Sequence, residues 1–189
     1  MMQELWQKKW KLKYSQDVID IALFGSAIFG GEKINDLDVI VLFKKIALKD
    51  QLHQTQEIKK QIQEQVSLPI HVKPFDMESF FDEGNFAQGG ILFYGKSMIN
   101  RKDFSENFGL TPKSRIRYAL DSLKKKDKVK FNYLLSGKQG HYGLLRKYGG
   151  ELVAPGIIET MPENEKIFVE QMKRITKDII VERGFVLGS

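Results

Sequence analysis

The stretch from Ile19 to Phe43, I-D-I-A-L-F-G-S-A-I-F-G-G-E-K-I-N-D-L-D-V-I-V-L-F, constrains this chain more than any other. It reads as a strand over Val18–Phe24, a bend at Gly25-Ser26, a short helical or loop segment, and a second strand over Leu37–Phe43. Beyond Asp38 the second strand is apolar at every position, the pattern of a central strand covered on both faces. Strand side chains alternate, so Asp36 and Asp38 project the same way. Two neighbouring carboxylates at the mouth of an apolar strand repel each other unless a cation lies between them. A hard divalent ion such as Mg²⁺, which takes one or two carboxylates and completes its shell with phosphate oxygens, suits that pair. Gly25 lets backbone come close to a phosphate, and the Ser26 hydroxyl and adjacent amides can donate to it.

These residues carry a resemblance. Leu23-Phe24-Gly25-Ser26, then nine residues from Ala27 to Asn35, then Asp36-Leu37-Asp38-Val39 is similar to the signature of the polymerase-beta-like nucleotidyltransferases, particularly the minimal ones. The resemblance implies Mg²⁺- or Mn²⁺-dependent transfer of a nucleoside monophosphate from an NTP to a hydroxyl. It also implies that Asp36 and Asp38 hold the metal and that Gly25 and Ser26 seat the triphosphate. Lys33, at the tip of the glycine-containing loop with Gly30 and Gly31, would help neutralise the phosphates, or is simply a solvated lysine.

The chain departs from that pattern at one place. A helix over 47–66, with Leu48, Leu52, Ile58, Ile62 and Val66 on one face, leads to a third strand, Ile70–Phe75. The family carries a third carboxylate on this strand. Here the alternating polar positions are His71 and Lys73. His71 can serve as general base, since an imidazole titrates near neutrality. Lys73 can instead neutralise Asp36 or Asp38, and both side chains can simply face solvent. Asp76 follows as a helix cap rather than a ligand. Nucleotide and metal binding are therefore better supported than turnover.

Composition bounds the alternatives. With 42% hydrophobic residues in 189, the chain can bury a core. The absence of cysteine excludes disulfides, thiolate zinc sites and cysteine nucleophiles, and suits a cytoplasmic location. The first residues show no signal-peptide apolar region, and no run approaches the ~20 apolar residues a membrane span needs. A net charge of +6 favours polyanionic partners.

Around these strands the pattern predicts a helix over 4–14 with Trp6, Trp10 and Tyr14 in one stripe, a short helix over 77–83, an apolar segment over 86–94 and a brief strand over 96–100. The polar, turn-rich segment 101–111 is read as a boundary. Beyond it the spacing of Ile116, Ala119, Leu120 and Leu123 predicts a helix over 113–126, and V-K-F-N-Y-L-L over 129–135 predicts a strand. The loop S-G-K-Q-G-H-Y-G over 136–143 can present amides to a phosphate, although turn chemistry alone accounts for its glycines. A short helix over 144–148, a broken strand over 152–160, a helix over 162–176 and a strand over 179–187 complete the chain.

The reading is thus an α/β to α+β protein: a nucleotidyltransferase-like mixed sheet flanked by helices over residues 1–110, and a basic α+β module over 111–189. The expected site is Asp36, Asp38 and His71 as catalytic residues, Asp36 and Asp38 also as metal ligands, and Gly25, Ser26 and Lys33 around the nucleotide. An RNA or protein acceptor would be met through the basic region 113–130, with no membrane involved. The alternative is a catalytically impaired nucleotide- or RNA-binding module, antitoxin-like in role.

Overall fold

A computed structural model of the chain describes Leu5, residues 8–29 and residues 34–187. The chain divides into two compact units, the first ending at Leu110 and the second beginning at Thr111. It is a mixed α/β protein with more than one sheet.

The first unit is built on β1 (Val18–Phe24), α1 (Ser26–Phe29), β2 (Leu37–Phe43), α2 (Leu48–Gln63), β3 (Ile70–Asp76), α3 (Met77–Phe80), α4 (Gln88–Tyr94) and β4 (Lys96–Ser97). The sheet order is β3-β2-β1-β4. β1 and β2 are antiparallel, with Phe24 opposite Asp38. β2 and β3 are parallel, as the long α2 crossover requires, with Asp38 opposite His71 and Ile40 opposite Lys73. Ile21, Leu23, Leu37, Val39, Val41 and Phe43 pack with Ile58 and Ile62 of α2 on one face. Ala22, Ile40 and Leu42 pack with Phe80, Ile91 and Phe104 on the other. Covering both faces is what the unbroken apolar run of β2 demands.

Two expectations for this unit are corrected. Residues 9–15 are not helical. They run extended along α2, with Trp10 buried and Tyr14 exposed, so the four-residue aromatic spacing does not form a stripe; Trp6 lies outside the described residues. Glutamine amides take the place of a neighbouring strand. Lys11 N–H donates to Gln65 Oε1 at 3.0 Å while Gln65 Nε2 donates back to the Lys11 carbonyl at 2.9 Å. Gln61 does the same for Lys13, at 2.6 and 3.0 Å. Two residues of extended chain advance about 6.6 Å and four residues of helix about 6 Å, so the two spacings match.

The second correction concerns α2. It buries Gln51, Thr55, Ile58 and Ile62, leaving Leu48 and Leu52 exposed. Gln51 is admitted because its amide donates to the Ile46 carbonyl and to Asp76 Oδ2. The segment 101–111 includes the division between the two units. It contains a 3₁₀ turn over Phe104–Phe108, and Phe104 is fully buried against Phe80.

The second unit comprises β5 (Leu110–Tyr118, of which all but the first residue belong to it), α5 (Lys125–Ser136), the small hairpin β6 (Gly137–Lys138) and β7 (His141–Tyr142), α6 (Leu144–Lys147), β8 (Glu151–Ala154), β9 (Ile157–Thr160), α7 (Pro162–Lys173) and β10 (Ile179–Leu187). The main sheet runs β10-β5-β9-β8. Without the inserted hairpin and α6, this is strand-helix-strand-strand-helix-strand in the split β-α-β order. Phe131 and Leu135 of α5 and Phe168 and Met172 of α7 pack on Ile116 and Ile158.

Two assignments exchange places here. Residues 113–118 belong to a strand and 129–135 to a helix. In β5, Pro112, Ser114 and Ile116 are buried while Arg115 and Arg117 face out, a period of two. In α5, the buried Phe131 and Leu135 are one helical turn apart. No described helix is long and apolar enough to cross a membrane.

Candidate functional site

The candidate site lies where β1 ends and β2 begins. Leu37, Val39 and Val41 turn toward the α2 face, so Asp38 falls on the opposite face with Ile40 and Leu42. Gly25 follows the last residue of β1 with a φ of +70°, in the left-handed region. A β-carbon added there would come within 2.5 Å of Asp38 Oδ2. The glycine is therefore required twice, by its own backbone and by the carboxylate lying against it. The sequence alone points Gly25 only to phosphate approach; the contact with Asp38 depends on the pairing of Phe24 with Asp38, which the sequence does not print.

Asp36 stands just before β2. Its Oδ2 is 3.7 Å from His71 Nε2, with the histidine side chain 63% and the aspartate 39% exposed, so this contact is open to solvent. The Asp38 carboxyl is pushed above its ordinary value, chiefly by burial and next by the negative charge of Asp36. The positive fields of His71 and Lys73 oppose that shift without cancelling it. The charge of Asp36 thus acts on the Asp38 carboxyl from two residues away. His71 and Lys73 face the same side of the sheet as Asp38, being two residues apart on β3 and in register with Asp38 and Ile40. The next residue on that face is Phe75, so β3 offers no carboxylate there.

Asp76 is committed elsewhere. It caps α3, accepting from Ser79 N–H at 2.8 Å, and this bond with the Ser79 hydroxyl holds its carboxyl below the usual range. Ser26 is exposed at the start of α1. Lys33, with Gly30 and Gly31, lies outside the described residues.

Asp20 escaped the sequence reading. It is a fully buried carboxylate inside β1, accepting from Ser97 Oγ at 2.7 Å, from Ile21 N–H at 2.7 Å and from the Asn107 amide. Burial pushes its carboxyl up, against those three hydrogen bonds. The signal was a lone aspartate at an inward position of an apolar strand. It joins β1 to β4 and to the 3₁₀ turn, away from Asp38.

Among the described residues, no group of three or more His, Cys, Asp and Glu side chains is arranged to hold an ion. The donors present nevertheless fit a hard cation shared with a phosphate-bearing ligand. Both are oxygen donors, their mutual repulsion is relieved by a positive charge, and Mg²⁺ needs only one or two carboxylates when phosphates complete its shell. Comparison with family models, with curated proteins and with solved structures returns no match.

Proposed function

We propose that the first unit binds a nucleoside triphosphate with Mg²⁺ or Mn²⁺ and transfers the nucleoside monophosphate to a hydroxyl group on a protein or RNA acceptor. The observation that carries this reading is the left-handed Gly25, whose missing side chain leaves room for the Asp38 carboxylate beside Asp36. Asp36 and Asp38 would hold the ion, which when bound would neutralise charge on the phosphoryl oxygens. The Gly25-Ser26 bend would bring backbone and hydroxyl donors to the phosphate chain. His71, in register with Asp38, would accept the proton of the attacking hydroxyl. The acceptor oxygen forms its bond to the α-phosphorus, the bond to the β-phosphate's bridging oxygen breaks, and pyrophosphate departs.

One observation favours a second reading, a nucleotide-binding module without turnover. On the Asp38 face β3 presents His71, Lys73 and Phe75, so a lysine's charge acts where a third carboxylate would serve.

Incubation with each α-labelled NTP, Mg²⁺ or Mn²⁺ and a cell extract separates the two. Label transferred to a macromolecule by the wild type but not by Asp36→Asn/Asp38→Asn supports the transferase. Triphosphate binding without transfer by the wild type supports the module. Absence of both removes either reading.

A further inference from the structure

The second unit carries a cleft that the nucleotide reading does not use. The hairpin β6–β7 folds back on the end of α5, and its glycines make that possible. A β-carbon on Gly137 would run into the His141 carbonyl, and one on Gly143 into the Leu135 carbonyl and the Gly137 amide nitrogen. The glycines of S-G-K-Q-G-H-Y-G therefore serve close packing and leave the side chains of the loop to line a cavity. That cavity, of about 410 Å³, lies among Tyr133, Tyr142, Tyr148, Lys138, His141 and Lys147, with no acidic side chain among the described residues that line it. Its size falls within the range that accepts a ligand-sized group.

The pairing of ring and cation is repeated three times. Arg146 lies 4.0 Å from the Tyr142 ring centroid, Lys138 5.2 Å from Tyr133 and Lys147 5.3 Å from Tyr148. Tyr133 and Tyr142 are 46% and 65% exposed, so ring surface remains open to a ligand. Tyr133 continues an exposed stripe on α5. Lys126, Lys130 and Tyr133 follow one another at helical spacing, and no ion pair ties Lys126 or Lys130 among the described residues. The other half of the basic region is spent within the sheet. Arg115 bonds Glu159 at 3.0 and 2.5 Å, and Arg117 bonds Glu182 at 3.2 Å.

We infer that this cleft binds single-stranded nucleic acid, with bases stacked on Tyr142 and Tyr133 and the backbone following Lys138, Lys130 and Lys126. Flat rings beside cations, with no carboxylate, match alternating bases and phosphates. A duplex would keep its bases stacked on one another and away from the rings, so the strand must be single. The site is independent of whether Asp36 and Asp38 support catalysis.

The test is fluorescence anisotropy of the full chain with end-labelled twelve-residue oligouridylate, oligothymidylate and a duplex of equal length. Tyr142→Ala, at an exposed position, should weaken single-strand binding at least about fivefold, the lower end for loss of one stacked base. Lys138→Ala should lower the slope of log affinity against log salt by about 0.7. Lys177→Glu, an exposed lysine outside the lining, should change affinity much less than Lys138→Glu. Binding of either oligomer with these losses supports the cleft. Tighter binding of the duplex, equal affinity for a mononucleotide, equal effects of Lys177→Glu and Lys138→Glu, or wild-type affinity in Tyr142→Ala would each overturn it.

Discussion

Replacing Gly25 by alanine tests the heart of the site with a magnitude that can be worked out beforehand. Two costs add. At φ +70° an L-residue loses about 1–2 kcal/mol relative to glycine, whatever surrounds it. The new methyl also meets Asp38 Oδ2 at 2.5 Å, so the carboxylate must move. Overpacking typically costs about 1–3 kcal/mol in a closed core, and this half-open site takes the lower end. Gly25→Ala should therefore destabilise the first unit by about 2–3 kcal/mol. In an Asp38→Ala background only the backbone cost remains, because the nearest surviving atom would be the residue 38 β-carbon at an ordinary 3.4 Å. The cycle should then return a coupling of about 1 kcal/mol between the two positions. Urea unfolding followed by tryptophan fluorescence reads the right unit, since Trp10 is buried in its core and the sequence has no tryptophan beyond residue 10. An equal cost in both backgrounds would mean that the carboxylate does not lie on the glycine. A neutral Gly25→Ala would mean that the bend is not left-handed.

Two further outcomes follow from the first unit. Asp20 keeps its proton to higher pH in the folded than in the unfolded chain, because its carboxyl is raised above 3.8. Its contribution is full below the unfolded value and declines as pH rises through the folded one; the stability of the wild type relative to Asp20→Asn should fall as pH rises above the ordinary aspartate value of 3.8, and a flat or rising difference in urea titrations would contradict this. Gln65→Ala removes both bonds to Lys11, so hydrogen exchange at the Lys11 amide should accelerate at a stability cost of about 1 kcal/mol, while unchanged exchange would show that the glutamine does not hold the segment.

The strands around the site were legible because their signals are local. The apolar run of β2 and the Gly-Ser and Asp-Leu-Asp pairs lie within one short stretch, and the alternation that puts Asp36 and Asp38 on one side needs no tertiary information. What failed was decided by partners distant in sequence. Residues 9–15 are extended because Gln61 and Gln65 offer strand-like partners, about 50 residues away. Gln51 displaces Leu48 and Leu52 from the buried face of α2 through a bond to Asp76. In 113–135 apolar residues fall at both helical and strand spacings among many lysines and arginines. Pairing of Ile116 with Ile158, and packing of Phe131 under the sheet, settle which period holds. The absence of a carboxylate on the Asp38 face of β3 could be read directly, and the register of β2 with β3 sets His71 opposite Asp38.

Titration calorimetry with a nucleoside triphosphate, with and without Mg²⁺, tests the account at its centre. With Asp36 and Asp38 as the two proposed carboxylate ligands, Mg²⁺ alone should produce little heat, the triphosphate with Mg²⁺ should bind, and Asp36→Asn/Asp38→Asn should lose that binding. Binding that is the same without the ion, or that survives in the double variant, would contradict the proposal that this acidic pair and its glycine bend form a metal–nucleotide site.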